Sequence, residues 1–238
     1  MITQHFLAFT FDSAFHLIKQ GGFFMILLII CSVASFAAIG LRAFALRRSA
    51  VLPSIIENEI QRLQPGDNPQ RISRLVKGDP SALARIAVVA LDHLKWPKSE
   101  NVEAVQTRAR HEIVRLEAGI VVLEIVVGIA PLLGLLGAVA GLVTVFSSIG
   151  SGATSTGDLS GIASGISEAL STTIVGLGIA VPSLVAYSYF SRKIENMSVE
   201  MESIIAELLG KCYSQKPRLG LTEPRKSAGP TPGLDDPS

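Results

Sequence analysis

Charge is scarce in this chain. Only 17% of its 238 residues are Asp, Glu, Lys or Arg, and the formal net charge is +1. Nothing in that balance suggests nucleic acid as a partner. Cysteine is equally sparse. Cys31 and Cys212 are the two present, so neither a disulfide framework nor a thiolate metal cluster is available, and both read as small apolar fillers. The four histidines (His5, His16, His93, His111) are scattered. No nucleophile–base pair, phosphate-binding loop or metal-ligand spacing occurs, which argues against an enzyme and against a cofactor or metal. Internal inverted repeats, the mark of many solute transporters, are missing as well.

What remains is apolar material, with a mean hydropathy of +0.44. It falls into three uncharged runs: 22 residues between Lys19 and Arg42, 33 between Glu124 and Asp158 (densest over 125–146), and 23 between Glu168 and Arg192. A helix needs about 20 apolar residues to cross about 30 Å of hydrocarbon. Each run passes, and none shows the short alternating segments of a β-barrel. The expected fold is an all-α membrane protein with three transmembrane helices. The first run starts some way into the chain, lacks a basic lead-in and is followed by Arg42, Arg47 and Arg48, so it reads as a retained helix and not a cleaved signal.

Basic residues assign the sides. One lies before the first run, thirteen between Arg42 and Glu117, none between the second and third runs, and seven from Arg192 onward. The positive-inside rule then puts the N-terminus and the 147–167 loop outside, and the middle loop and C-terminal region in the cytoplasm.

The organisation expected along the chain is as follows. Residues 1–20 form an outer amphipathic segment, or a frayed terminus, and 21–48 the first membrane helix. Residues 49–99 form a cytoplasmic helical loop, with Pro53 opening one helix and Asn68-Pro69 and Asp79-Pro80 each supplying a cap residue followed by proline at the first helical position. That loop holds too little apolar material to stand alone, so it should pack on extensions of the membrane helices. Residues 100–147 read as one long second helix, with Arg108 and Glu112 at helical spacing, and 148–164 as an outer loop. Residues 165–212 read as the third membrane helix, whose extension carries Ile194, Met197, Met201, Ile204 and Leu208 as a contact stripe and ends near Gly210. Residues 213–238, rich in proline, read as a disordered tail.

Two stretches hold the functional signal. In the second span Gly134, Gly137, Ala138 and Gly141 put small residues on neighbouring helical positions, and Pro131 removes a backbone hydrogen bond and bends the helix. These residues serve helix packing alone, or packing around a path. In the third span Glu168 is followed by Ser171, Thr172 and Thr173, then Gly176, Ala180 and Pro182. A carboxyl and clustered hydroxyls could line a hydrated path, or the hydroxyls could bond back to their own helix.

The run Ala130-Pro131-Leu132-Leu133-Gly134-Leu135-Leu136-Gly137 and the run Gly165-Ile166-Ser167-Glu168-Ala169-Leu170, followed by Thr173, Gly176-Leu177, Ala180 and Pro182, resemble the ExbB/TolQ/MotA proton-channel family. The resemblance spans about residues 10–212. Three spans place it on the ExbB/TolQ side, since MotA-like members have four. It implies a homo-oligomer, a pentameric ring in the bacterial inner membrane around an ExbD- or TolR-like single-span partner, working on a TonB- or TolA-like protein. Proton flow would drive the partner's movement, energising TonB-dependent outer-membrane transport, or envelope integrity in a TolQ-like system. A non-conducting structural scaffold is the reading from a different class. By the same resemblance Glu168 matches an outer-end glutamate and Thr173 a pore-facing threonine. Ala138 stands where the family usually has threonine, and Thr144, six residues on, faces elsewhere. Glu124, usually uncharged in the family, would sit near the cytoplasmic mouth, either attracting protons or simply reaching the interface.

Overall fold

The computed structural model describes residues 22–150 and 159–214, and these are helical throughout apart from short turns. The elements are α1 (Gly22–Ala45), α2 (Arg48–Val51), α3 (Ser54–Arg62), α4 (Gln70–Lys77), α5 (Ala82–Asp92), α6 (Lys98–Glu117), α7 (Val121–Gly150) and α8 (Leu159–Tyr213). The segments expected at 1–20 and within the tail after Ser214, and the central part of the outer loop at 151–158, lie outside the described residues.

Three helices, α1, α7 and α8, are long and apolar enough to cross a membrane. Together they form a bundle that is apolar outside as well as inside. Phe23, Ile30 and Phe36 of α1, Leu132, Val143 and Phe146 of α7, and Ile174, Val181 and Val185 of α8 all point outward and are more than half exposed. Water would not tolerate so broad an apolar surface on one bundle, whereas lipid requires it. The bundle's own core is small: Leu28 of α1, Val126 and Ala130 of α7, and Ala180 of α8. Close backbone approach replaces bulky side chains there.

Below the bundle, α8 continues into a polar layer built by α2–α6. At 55 residues α8 is about 80 Å long, far more than a bilayer needs. Its lower half carries the stripe Ile194, Met197, Met201, Ile204 and Leu208, every one buried. The same buried cluster holds Leu52, Ile56 and Ile60 from the α2–α3 region, Ile72 and Val76 of α4, and Leu83, Ile86 and Ala90 of α5. The middle segment and the lower half of α8 therefore share one core.

Polar contacts fasten the layer. Glu112 on α6, only 3% exposed, accepts from Arg85 of α5 at 2.5 Å and from Arg108 one turn away at 2.8 Å. Burial alone would raise the Glu112 carboxyl; the hydrogen bond from Arg85 and the charges of Arg85, Arg108 and Arg115 outweigh it and hold the group below its ordinary value. Arg48 bridges Glu57 at 3.1 Å and also reaches Glu200 on α8.

Four expectations change. The second long helix is two helices: residues 118–120 form a turn with Ile120 N–H donating to the Glu117 carbonyl at 2.9 Å, centred on Gly119, against which the Arg42 guanidinium lies. The third begins earlier, at Leu159, so the outer loop is shorter than 148–164. It also runs through Gly210 to Tyr213, because tertiary bonds hold the last turn. Lys211 Nζ donates to the Ile60 and Gln61 carbonyls at 2.9 and 2.8 Å. The Tyr213 hydroxyl donates to the Trp96 carbonyl and accepts from Asn101 Nδ2, both at 3.0 Å. Finally, the caps shift. Pro53 and Pro69 precede their helices, Asn68 Oδ1 accepts from Gln70 N–H, and it is Ser81, not Asp79, that caps α5 by accepting from Ala84 N–H at 3.2 Å.

Candidate functional site

The two motif-bearing stretches meet along one seam between α7 and α8. Glycine makes the approach possible. A Cβ placed on Gly176 would sit 2.6 Å from the Ala130 carbonyl oxygen and 3.1 Å from Gly134 Cα. One on Gly134 would sit 2.9 Å from the Thr172 carbonyl oxygen, and one on Gly141 3.0 Å from Ala169 Cβ. Gly137 faces Thr172 and, on its other side, Phe24 of α1. Backbone thus touches backbone at Gly134 and Gly176, as small residues permit in lipid.

The hydroxyls divide. Thr172 is buried in the seam; its Oγ1 lies 2.8 Å from the Ala169 carbonyl and 3.1 Å from the Gly134 carbonyl across the seam. Thr172 thus sits between helices and not on an open face, because its hydroxyl finds acceptors on both. Thr173, next along, is half-buried and donates to the same Gly134 oxygen at 3.3 Å. Ser171, also half-buried, bonds back to Ser167 at 2.8 Å. Ala138 is buried.

The remaining candidates stand apart. Thr144 is exposed and bonds back to the Ala140 carbonyl at 3.1 Å. Glu168 and Glu124 are exposed on α8 and α7, and neither forms an ion pair with another described residue. Pro131 and Pro182 lie inside α7 and α8 without ending them. Among the described residues no group of three or more His, Cys, Asp or Glu side chains could hold a metal.

One polar pair escaped the sequence reading. Ser35 of α1 and Ser183 of α8, both nearly fully buried, share a 2.6 Å hydrogen bond, and Ser183 also bonds back to the Ile179 carbonyl at 2.7 Å. Single hydroxyls inside two uncharged runs were the only signal available.

The model of the MotA/TolQ/ExbB proton channel family matches residues 48–203. An ExbB-like biopolymer transport protein of Synechocystis is 29% identical over 170 residues, covering 71% of this chain and 81% of the relative. The biopolymer transport protein exbB1 of Vibrio cholerae is 28% identical over 181 residues, 74% of this chain and 78% of its own length. The biopolymer transport protein ExbB of Salmonella typhimurium is 38% identical over 81 residues, 34% and 32% of the two chains.

Proposed function

From the membership of this chain in the MotA/TolQ/ExbB proton channel family, we propose that it is the proton-channel subunit of an inner-membrane motor that energises biopolymer transport across the envelope. The relatives' shared name, biopolymer transport protein, favours the TonB-linked role over the Tol-linked one. In this reading the N-terminus faces the periplasm and the polar α2–α6 layer the cytoplasm, as the distribution of basic residues supports. Five copies form a ring around an ExbD/TolR-like single-span partner.

The observation that carries the proposal is the division of the hydroxyls. Thr172 is consumed by the seam, while Thr173 keeps one side open. The seam holds no ionisable group between Glu124 and Glu168 on its two helices within the described residues, and none from there to Tyr187. Charge cannot cross hydrocarbon without a titratable relay or a water file. This chain therefore supplies a stationary wall, with Thr173 orienting water, and the partner's membrane helix supplies the carboxylate. Each proton falling through about 100 mV releases about 2.3 kcal/mol, enough to bias a conformational step of a few kcal/mol.

The test is Thr173→Val in the assembled complex, measured as proton-dependent uptake of a TonB-dependent substrate. Uptake should fall at least tenfold with assembly intact. Full uptake would remove Thr173 from the path, and full uptake in the absence of any carboxylate-bearing partner would defeat the proposal.

A further inference from the structure

Where the lower end of α1 passes the α6–α7 turn there is a groove of about 440 Å³ that the seam does not use. Ala34, Ala37 and Leu41 of α1 and Val122 of α7 line it, and Arg42 closes its polar end. Arg42 does not extend freely toward water, as arginines at membrane borders commonly do. Its guanidinium lies on Gly119: a Cβ on that glycine would fall 1.3 Å from Nη2 and 1.5 Å from Cζ, so the group occupies the space a side chain would take. Among the described residues no carboxylate forms an ion pair with Arg42 or with its neighbour Arg47, which stacks over the Phe44 ring at 4.7 Å.

A half-buried, pinned cation without a counter-ion calls for an anion, and a planar guanidinium suits a phosphate. The space beside it is apolar and belongs to a membrane helix, which suits an acyl chain. We propose that this groove binds one anionic phospholipid, its phosphate on Arg42 and one chain along Ala37 and Ala34. A helix from a second copy is the competing occupant: it could fill the small-residue wall and bring its exposed Glu117 or Glu124 toward Arg42, and cross-linking separates the two. Basic pockets between membrane helices on the cytoplasmic side take anionic headgroups for the same reason. The site needs only the membrane embedding of α1 and α7; the orientation proposed above adds that the lipid comes from the inner leaflet.

The experiment is native mass spectrometry of the full chain in detergent, titrated with phosphatidylglycerol or phosphatidylcholine. Retention of one phosphatidylglycerol per chain, at least fivefold preferred over phosphatidylcholine, is expected. Arg42→Gln should weaken phosphatidylglycerol retention about fivefold, the contribution of one basic residue at an anionic surface. Ala37→Leu, at an exposed position, fills the groove without touching the charge or the fold and should weaken both lipids. Equal retention of the two lipids, or unchanged retention in the Ala37→Leu protein, overturns the site. So does efficient cross-linking of an Ala37→Cys protein to a neighbouring copy, which would give the groove to a second chain. Lipid retention is read without proton flux, so it fails or stands independently of the motor reading.

Discussion

Two glycines on α8, two residues apart, meet opposite surroundings. Gly176 lies against the Ala130 carbonyl, with a Cβ at 2.6 Å, while nothing approaches Gly178 within 4 Å. Alanine at 176 must push α7 away and should destabilise the fold by about 1–3 kcal/mol. Alanine at 178 meets open space and should be neutral or gain up to about 1 kcal/mol from helix propensity. Thermal unfolding in detergent separates the two, and equal melting of both variants would contradict the seam. The Ser35–Ser183 bond allows a finer measurement. A double-mutant cycle with Ser35→Ala and Ser183→Ala should return a coupling of about 0.6 kcal/mol, the average for such bonds in membranes. Ser183 already has an acceptor on its own helix, which keeps the value small.

Among the elements, α5 and α6 are held together around one carboxylate. Glu112 is buried with both its arginines partly exposed, at 27% and 38%. Removing the acid takes the carboxylate from two guanidinium groups whose Nε atoms already lack partners, leaving Arg85 the Pro80 carbonyl. Glu112→Ala should therefore cost about 3 kcal/mol, the lower end for a broken buried pair given the arginines' access to water. The pH dependence follows from the depressed carboxyl. Between its folded value and the ordinary 4.5 the unfolded chain binds more protons, so stability rises with pH through that window. Above it the contribution is complete; it is lost as pH falls through the folded value. Melting of the Glu112→Gln protein should be flatter than wild type below pH 4.5. At the far end of the layer Asn101, fully buried, donates to the Ala90 carbonyl at 2.9 Å as well as to Tyr213. This ties the ends of α5 and α8 to the start of α6.

For the whole molecule, the polar layer is folded onto a membrane helix and not beside it. The last turns of α8 supply Ile205, Leu208 and Leu209 to the core and Lys211 and Tyr213 to the polar clasps. A chain ending at Ile204 should insert its three spans normally yet lose the layer. Limited proteolysis should then cut within 53–97 while the bundle stays protected. Persistence of a protected layer would show that α2–α6 possess a core of their own. This coupling also gives a mechanical route. One 55-residue helix, with Pro182 inside it, runs from the seam into the layer.

The uncharged runs, the crowding of basic residues on alternate loops and the 194–208 stripe were legible because hydrophobicity is a property each residue carries with it. Summed over a helix, it determines what must enter lipid or be covered, whatever the neighbours are. The small-residue pattern at Gly134, Gly137, Gly141 and Gly176 was legible as a capacity for close approach, but not as a particular contact. Only the tertiary structure decided that Thr172 turns into the seam while Thr173 keeps an open side, that residues 118–120 break a run with no proline in it, and that α8 passes Gly210. Each of those outcomes depends on a partner distant in the chain: the Gly134 carbonyl for the threonines, Arg42 beside Gly119, and the Ile60 and Trp96 carbonyls for Lys211 and Tyr213. Hydrogen bonds and backbone contacts act over a few ångströms, so they are determined by which segments the fold brings together and not by local composition.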